Sequence, residues 1–162
     1  MLNDLTIIGR AEKADFTDID ARRVSVKIDT RADACSIWAE AEEFENGRLH
    51  VIFFGEGSDW YTGKEHIFHR GQYKITRVAN SFGHKEIRFK VKLKIRLKRR
   101  TIIGSFTLAN RSNKLYPVLI GRSLLKNKFL VDVSKGNPLR ELERMRKQRM
   151  HEELLSEKEV KL

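Results

Sequence analysis

Val26-Lys27-Ile28-Asp29-Thr30-Arg31-Ala32-Asp33 is the stretch on which the reading of this chain turns. Across residues 24–28 apolar and polar side chains alternate, the two-residue period of a half-buried strand. An acidic residue follows the strand directly, and Asp-Thr starts turns through side-chain hydrogen bonds. By itself this is a strand running into a turn. Far along the chain comes a second junction, Val118-Leu119-Ile120-Gly121-Arg122-Ser123-Leu124-Leu125, where an apolar run stops at glycine and a helical turn begins.

The segments around these junctions also read as β structure. Strands are expected at 5–8, ended by Gly9, at 34–39, and at 48–54 after Asn46-Gly47, a strong hairpin signal. Residues 55–71 are loose in pattern and predict a long loop. Strand pattern resumes at 73–78, and Ser81-Phe82-Gly83-His84 reads as a turn. The cleanest alternation follows. Ile87, Phe89, Val91, Leu93, Ile95 and Leu97 are separated by charged residues, which predicts a strand with one buried and one wet face. Its hairpin partner is expected at 101–108, with short strands at 116–120 and 129–133 and one helical turn at 123–126. Asn137 can cap a helix with Pro138 at its first position, predicting a tail helix from about 138 to 155 with a thin apolar stripe. The expected division is a β domain, 1–136, and a helical tail, 137–162.

With 162 residues the chain suits one domain and can bury a core without staples. It has no apolar run of membrane-spanning length and does not open on a basic and apolar leader. The lone cysteine, Cys35, forms no intrachain disulfide and suits a reducing compartment. These features together predict a cytoplasmic protein with no membrane partner. The net charge is +11. The tail holds seven Lys/Arg against six Glu, so almost all of that excess lies in the body. An acidic partner is therefore expected.

Arg88, Lys90, Lys92, Lys94, Arg96 and Lys98 share one face of the long strand, as either an anion track or a solvated, aggregation-resistant face. Nucleic acid is the less favoured partner. Its binding uses exposed aromatics for stacking, and Phe89 falls on the opposite, apolar face. No P-loop, dinucleotide fingerprint or Gly-x-Ser-x-Gly elbow occurs. His66 and His69 stand near Glu65, but neither His-Glu-x-x-His nor paired cysteines are present. No metal and no organic cofactor are expected.

The two junctions together resemble the signatures of retropepsin-like aspartic proteases: an apolar-Asp-Thr-Gly-Ala-Asp loop and a later apolar-apolar-Gly-Arg-x-Leu-Leu corner. Between them, Ser81-Phe82-Gly83-His84-Lys85-Glu86-Ile87-Arg88 is similar to the Ser-x-Gly-His-x-Glu-x-Arg flap of a bacterial and archaeal branch labelled "ATP-dependent zinc protease". Several members of that branch are encoded beside ATP-grasp glutamate ligases. Phe129-Leu130-Val131-Asp132-Val133 also fits, and the resemblance spans about 6–135.

The resemblance implies a closed, barrel-like acid-protease fold with one short helix and a C-terminal helical extension. It implies half an enzyme, a homodimer in which each chain offers one aspartate, here Asp29. Two carboxylates at short range share a proton; one activates water and the other polarises the scissile carbonyl. Thr30 would hydrogen-bond across the dimer axis, within an active-site loop that includes Arg31 and Ala32. Ser81, Phe82, Gly83 and His84 would form a flap closing over a peptide or protein substrate. Asp33 and Arg122 would pair through two hydrogen bonds, partly buried near the dimer interface. Arg31 departs from the family's glycine. Three readings stay open: Arg31 points away and activity survives, Arg31 selects acidic, glutamate-rich peptides, or the chain is a binding relative without catalysis that holds an acidic peptide or RNA.

Overall fold

In the computed structural model, which describes residues 4–79, 82–136 and 139–160, the alternating stretch before Asp29 is one strand of a closed ring. Among the described residues the strands are β1 (Thr6–Ile8), β2 (Ala11–Phe16), β3 (Ala21–Ile28), β4 (Cys35–Glu43), β5 (Leu49–Phe53), β6 (Glu65–Phe68), β7 (Tyr73–Ala79), β8 (Lys85–Leu97), β9 (Arg100–Ala109), β10 (Val118–Ile120) and β11 (Phe129–Val131). The helices are α1 (Arg122–Leu125) and α2 (Arg140–Val160).

Strand order runs β10, β3, β2, β8, β9, β4, and β4 pairs back to β10, closing six strands into a barrel. Closure satisfies both edges of the sheet. The barrel fills with inward positions of the alternating stretches: Val24, Val26, Ile37, Leu93, Ile95, Phe106 and Ile120 are at most 1% exposed. Phe16 meets Phe106 edge to face, ring centres 5.5 Å apart. Each large side chain buried this way contributes about 1.5–3 kcal/mol. Phe106→Ala would therefore be among the most damaging single changes, at about 3–5 kcal/mol.

Three elements depart from the sequence reading. β2 carries no alternation because its pairing with β3 shifts register between Ala14 and Phe16. Ala11, Ala14 and Phe16 are its buried residues, which is not a two-residue period. β6 lies inside the expected loop and adds to β5; its inward positions are His66 and Phe68, so polarity hides the strand. The long strand β8 does not keep one buried face. Val91, Leu93, Ile95 and Leu97 point into the barrel, but Ile87 is 69% exposed, because the first half of β8 leaves the barrel as a hairpin with β7.

α2 ends five residues beyond the expected 155, and Asn137 and Pro138 lie outside the described residues. It is partly solvated as its thin stripe implies: Leu142, Met145, Met150 and Leu154 are each half exposed or more. Tyr116 Oη donates to Glu143 Oε1 at 2.7 Å and ties the helix to the barrel. No helix of the described residues is long and apolar enough to cross a membrane.

Candidate active site

Asp29 stands where β3 leaves the barrel. β3 runs parallel to β10 with Ile28 opposite Ile120, and the ladder continues one step, Asp29 N–H donating to the Ile120 carbonyl at 2.9 Å. Asp29 Oδ1 accepts from the Arg31 amide at 3.0 Å and the Ala32 amide at 3.2 Å. This is the turn that Asp-Thr predicts, and it fixes the carboxyl orientation through backbone. Among the described residues, Oδ2 accepts no hydrogen bond.

The Gly-Arg corner packs directly on this loop. A Cβ on Gly121 would lie 2.4 Å from the Ala34 carbonyl oxygen, so only glycine fits. The first amides of α1 would otherwise lack partners. They donate to the loop instead, Arg122 N–H to Ala32 at 2.8 Å and Ser123 N–H to Asp33 at 3.0 Å. Gly121 N–H points at Cys35 Sγ, 3.3 Å away, and burial pushes the Cys35 thiol up from its ordinary value.

Arg122 does reach Asp33, but not as expected. The contact is one ion pair at 3.5 Å rather than two hydrogen bonds, and in the single chain the side chains are 56% and 85% exposed. The guanidinium divides its donors, because Nη1 also bonds the Arg31 carbonyl at 3.2 Å. Arg31 is exposed and its φ is not positive, so the backbone accepts a side chain here without strain. Its guanidinium makes no hydrogen bond or ion pair among the described residues.

One residue of the site escaped the sequence reading. Arg111 is half-buried near Asp29, its Nε donating to the Tyr116 carbonyl at 3.0 Å. Burial, then repulsion from Arg88, pushes its guanidinium down to about 10, opposed by attraction to Asp29. It remains a cation at neutral pH. Ala109-Asn110-Arg111-Ser112 reads as a polar turn, and no local pattern marks the arginine. Arg111 thus lies within electrostatic reach of both Arg88 and Asp29.

The hairpin of β7 and β8 bears the expected flap residues. Phe82 is 85% exposed and Gly83 takes φ +79°, a turn conformation that suits glycine. His84 is exposed just before β8, and Ser81 lies outside the described residues. Ile75 and Ile87 on the hairpin arms are 57% and 69% exposed.

A family model described as "Retropepsin-like aspartic endopeptidase RimB" matches residues 7–139. The chain belongs to the RimB-like family. A curated relative, named as a probable alpha-L-glutamate ligase from Desulfotalea psychrophila, is 22% identical over 136 residues. The match covers 78% of this chain and 28% of that relative, so the chain spans less than a third of the relative's length. Among solved structures, a Legionella pneumophila protein of unknown function superposes with a TM-score of 0.58 at 25% identity, covering 82% of this chain and 97% of that one.

The zinc in the label of the branch whose flap this chain resembles finds no converging ligand set among the described residues. His50 Nδ1 meets Glu65 Oε1 at 2.8 Å, but no group of three or more His, Cys, Asp or Glu converges among the described residues. His66 packs on the Phe53 ring, and burial pushes its imidazole down. The cationic face of β8 is also shorter than its letters suggest. Arg96 pairs with Asp15 at 2.9 Å, Lys98 with Glu12 at 3.0 Å, and Arg88 with Glu86.

Proposed function

We propose that this RimB-like chain is half of an aspartic-type endopeptidase, acting in the cytoplasm as a homodimer on acidic, glutamate-rich peptides. The observation that carries the reading is Asp29 itself. It sits on a loop braced by the Gly-Arg corner, with Oδ1 held by two backbone amides and Oδ2 free of partners among the described residues. One chain supplies one such loop, so a second copy must bring the other carboxylate.

In the dimer the two Asp29 carboxyls share one proton. The ionised one takes a proton from water as the water oxygen bonds the scissile carbonyl carbon. The protonated one donates to the carbonyl oxygen. Collapse of the tetrahedral intermediate then breaks the C–N bond, and the amine leaves with a proton from the carboxyl pair. The β7–β8 hairpin closes over the substrate and excludes water. Arg111, within electrostatic reach of Asp29, supports acidic side chains in the substrate. The glutamate-ligase name of the curated relative agrees with that chemistry.

The second reading, a binding protein without catalysis, is favoured by Arg31. An arginine in place of the motif glycine adds a cation and bulk beside Asp29. The test is cleavage of glutamate-rich peptides followed by mass spectrometry with the native chain, Asp29→Asn and Arg31→Gly. Cleavage abolished in Asp29→Asn supports the peptidase. Cleavage found only in Arg31→Gly supports the binding relative.

A further inference from the structure

A cavity of about 630 Å³ lies between the tail helix and the barrel. Its barrel side includes Ile28 and Thr30, the two neighbours of Asp29 in the chain. Its other wall is one face of α2, since Glu143, Arg146, Lys147 and Met150 line it at helical spacing. The charge of the lining is lopsided. Arg10, Lys27, Arg111 and Lys114 come from the barrel, and Arg146 and Lys147 from the tail. The one acid of the lining, Glu143, already accepts the Tyr116 hydroxyl. Among the described residues, Lys27, Lys114, Arg146 and Lys147 make no ion pair.

Six cations against the one carboxylate of Glu143 leave this concavity with excess positive charge, Lys27, Lys114, Arg146 and Lys147 contributing most directly, and an anionic occupant relieves it. We infer that this cavity is a subsite for a run of glutamate or aspartate side chains flanking the scissile bond, and that α2 is a specificity element. The inference rests on the acidic-peptidase reading and adds a role for the tail. Ile28 and Thr30, either side of Asp29 in the chain, and Arg111, which Asp29 attracts, all line the cavity, so a peptide that reaches Asp29 has a short path into it. Leu115, Val133 and Met150 in the lining suit the methylene stems of glutamate. RNA fits less well. Tyr116, the aromatic residue of this lining, is 4% exposed with its hydroxyl committed, and offers no stacking face.

The test uses the full chain carrying Asp29→Asn, so that binding is read without cleavage, and fluorescein-labelled hexaglutamate followed by anisotropy. Arg146→Glu with Lys147→Glu reverses two exposed cavity charges. Arg149→Glu with Lys158→Glu makes the same change in net charge elsewhere on α2. The expected result is a roughly tenfold or greater loss of affinity for the first pair and less than about twofold for the second. The native affinity should also fall steeply between about 50 and 200 mM salt.

Equal losses in both pairs would reduce the effect to net charge and overturn the subsite. So would tighter, cavity-dependent binding of a labelled single-stranded RNA, or a change in sedimentation with unchanged peptide affinity, which would mark the cavity as the seat of a second copy. Without the Asp29→Asn change, cleavage of hexaglutamate with KM indifferent to the cavity reversal would sink the subsite and leave the peptidase standing. Cavity-dependent binding with no cleavage would sustain the subsite and remove the peptidase.

Discussion

Arg122 Nη2 lies 3.5 Å from Asp33 Oδ1, and both side chains are more than half exposed. The motif letters pair as written, yet in the single chain the pair is a surface contact worth at most about 1 kcal/mol. The bracing of the Asp29 loop falls to the α1 amides on Ala32 and Asp33. Arg122→Ala is therefore expected to cost under about 1 kcal/mol in urea unfolding of dilute, monomeric protein. A loss near about 3 kcal/mol that appears only at dimerising concentrations would place the pair inside the interface, where a broken pair strands a buried charge.

The proposed peptidase requires a dimer. Sedimentation equilibrium should find a species of about twice 18.9 kDa. A chain that stays monomeric at high concentration, with acidic peptide present, would end the peptidase reading.

Gly121→Ala tests the corner. The added methyl would meet the Ala34 carbonyl at 2.4 Å, so either the loop or α1 must shift. The expected cost is about 1–3 kcal/mol, as for other overpacked sites. Peptidase activity should fall by more than stability alone explains, because the displaced loop carries Asp29. Unaltered activity in a stable variant would show that the loop tolerates the shift.

The tail tether gives a pH dependence. Burial, then the hydrogen bond to Glu143, pushes the Tyr116 phenol up from its ordinary value of 10.0. The folded chain thus holds this proton more tightly than the unfolded chain. Its contribution is complete below the unfolded value and is lost as pH rises above about 10. Urea unfolding from pH 8 to 11 should show native stability falling more steeply at the alkaline end than that of Tyr116→Phe. Parallel curves would mean that the tether contributes nothing.

Metal content is a further check. Protein purified without a His tag should carry well under one zinc per chain by elemental analysis. Stoichiometric zinc that disappears on His50→Ala or His66→Ala would show a site that the packing of these rings does not suggest.

Local pattern made much of the barrel readable. Alternation in residues 24–28 and 91–97, the Asn46-Gly47 hairpin and the stop at Gly121 each reflect short-range preference, and each emerges as expected. The placement of Asp29 between strand and corner was readable for the same reason, since two sequence motifs meet across a parallel pair of strands. Residues 55–71 were harder, because β6 turns His66 inward and a polar ring on the core side erases alternation.

The amino-acid sequence by itself determines which segments can be strands, where a turn must put an aspartate, and that the chain carries excess positive charge. Only the tertiary structure decides where a uniform alternation stops being buried. Ile87 and Leu97 look alike in the letters, yet one is 69% exposed on a hairpin and the other is fully covered in the barrel. It alone brings Arg111 to Asp29, and the tail's Arg146 and Lys147 to the cavity beside Thr30. The reason is physical. Periodicity records which side of a strand faces away from water, but cover and charge neighbours are supplied by elements distant along the chain, and closure of the barrel decides which of them meet.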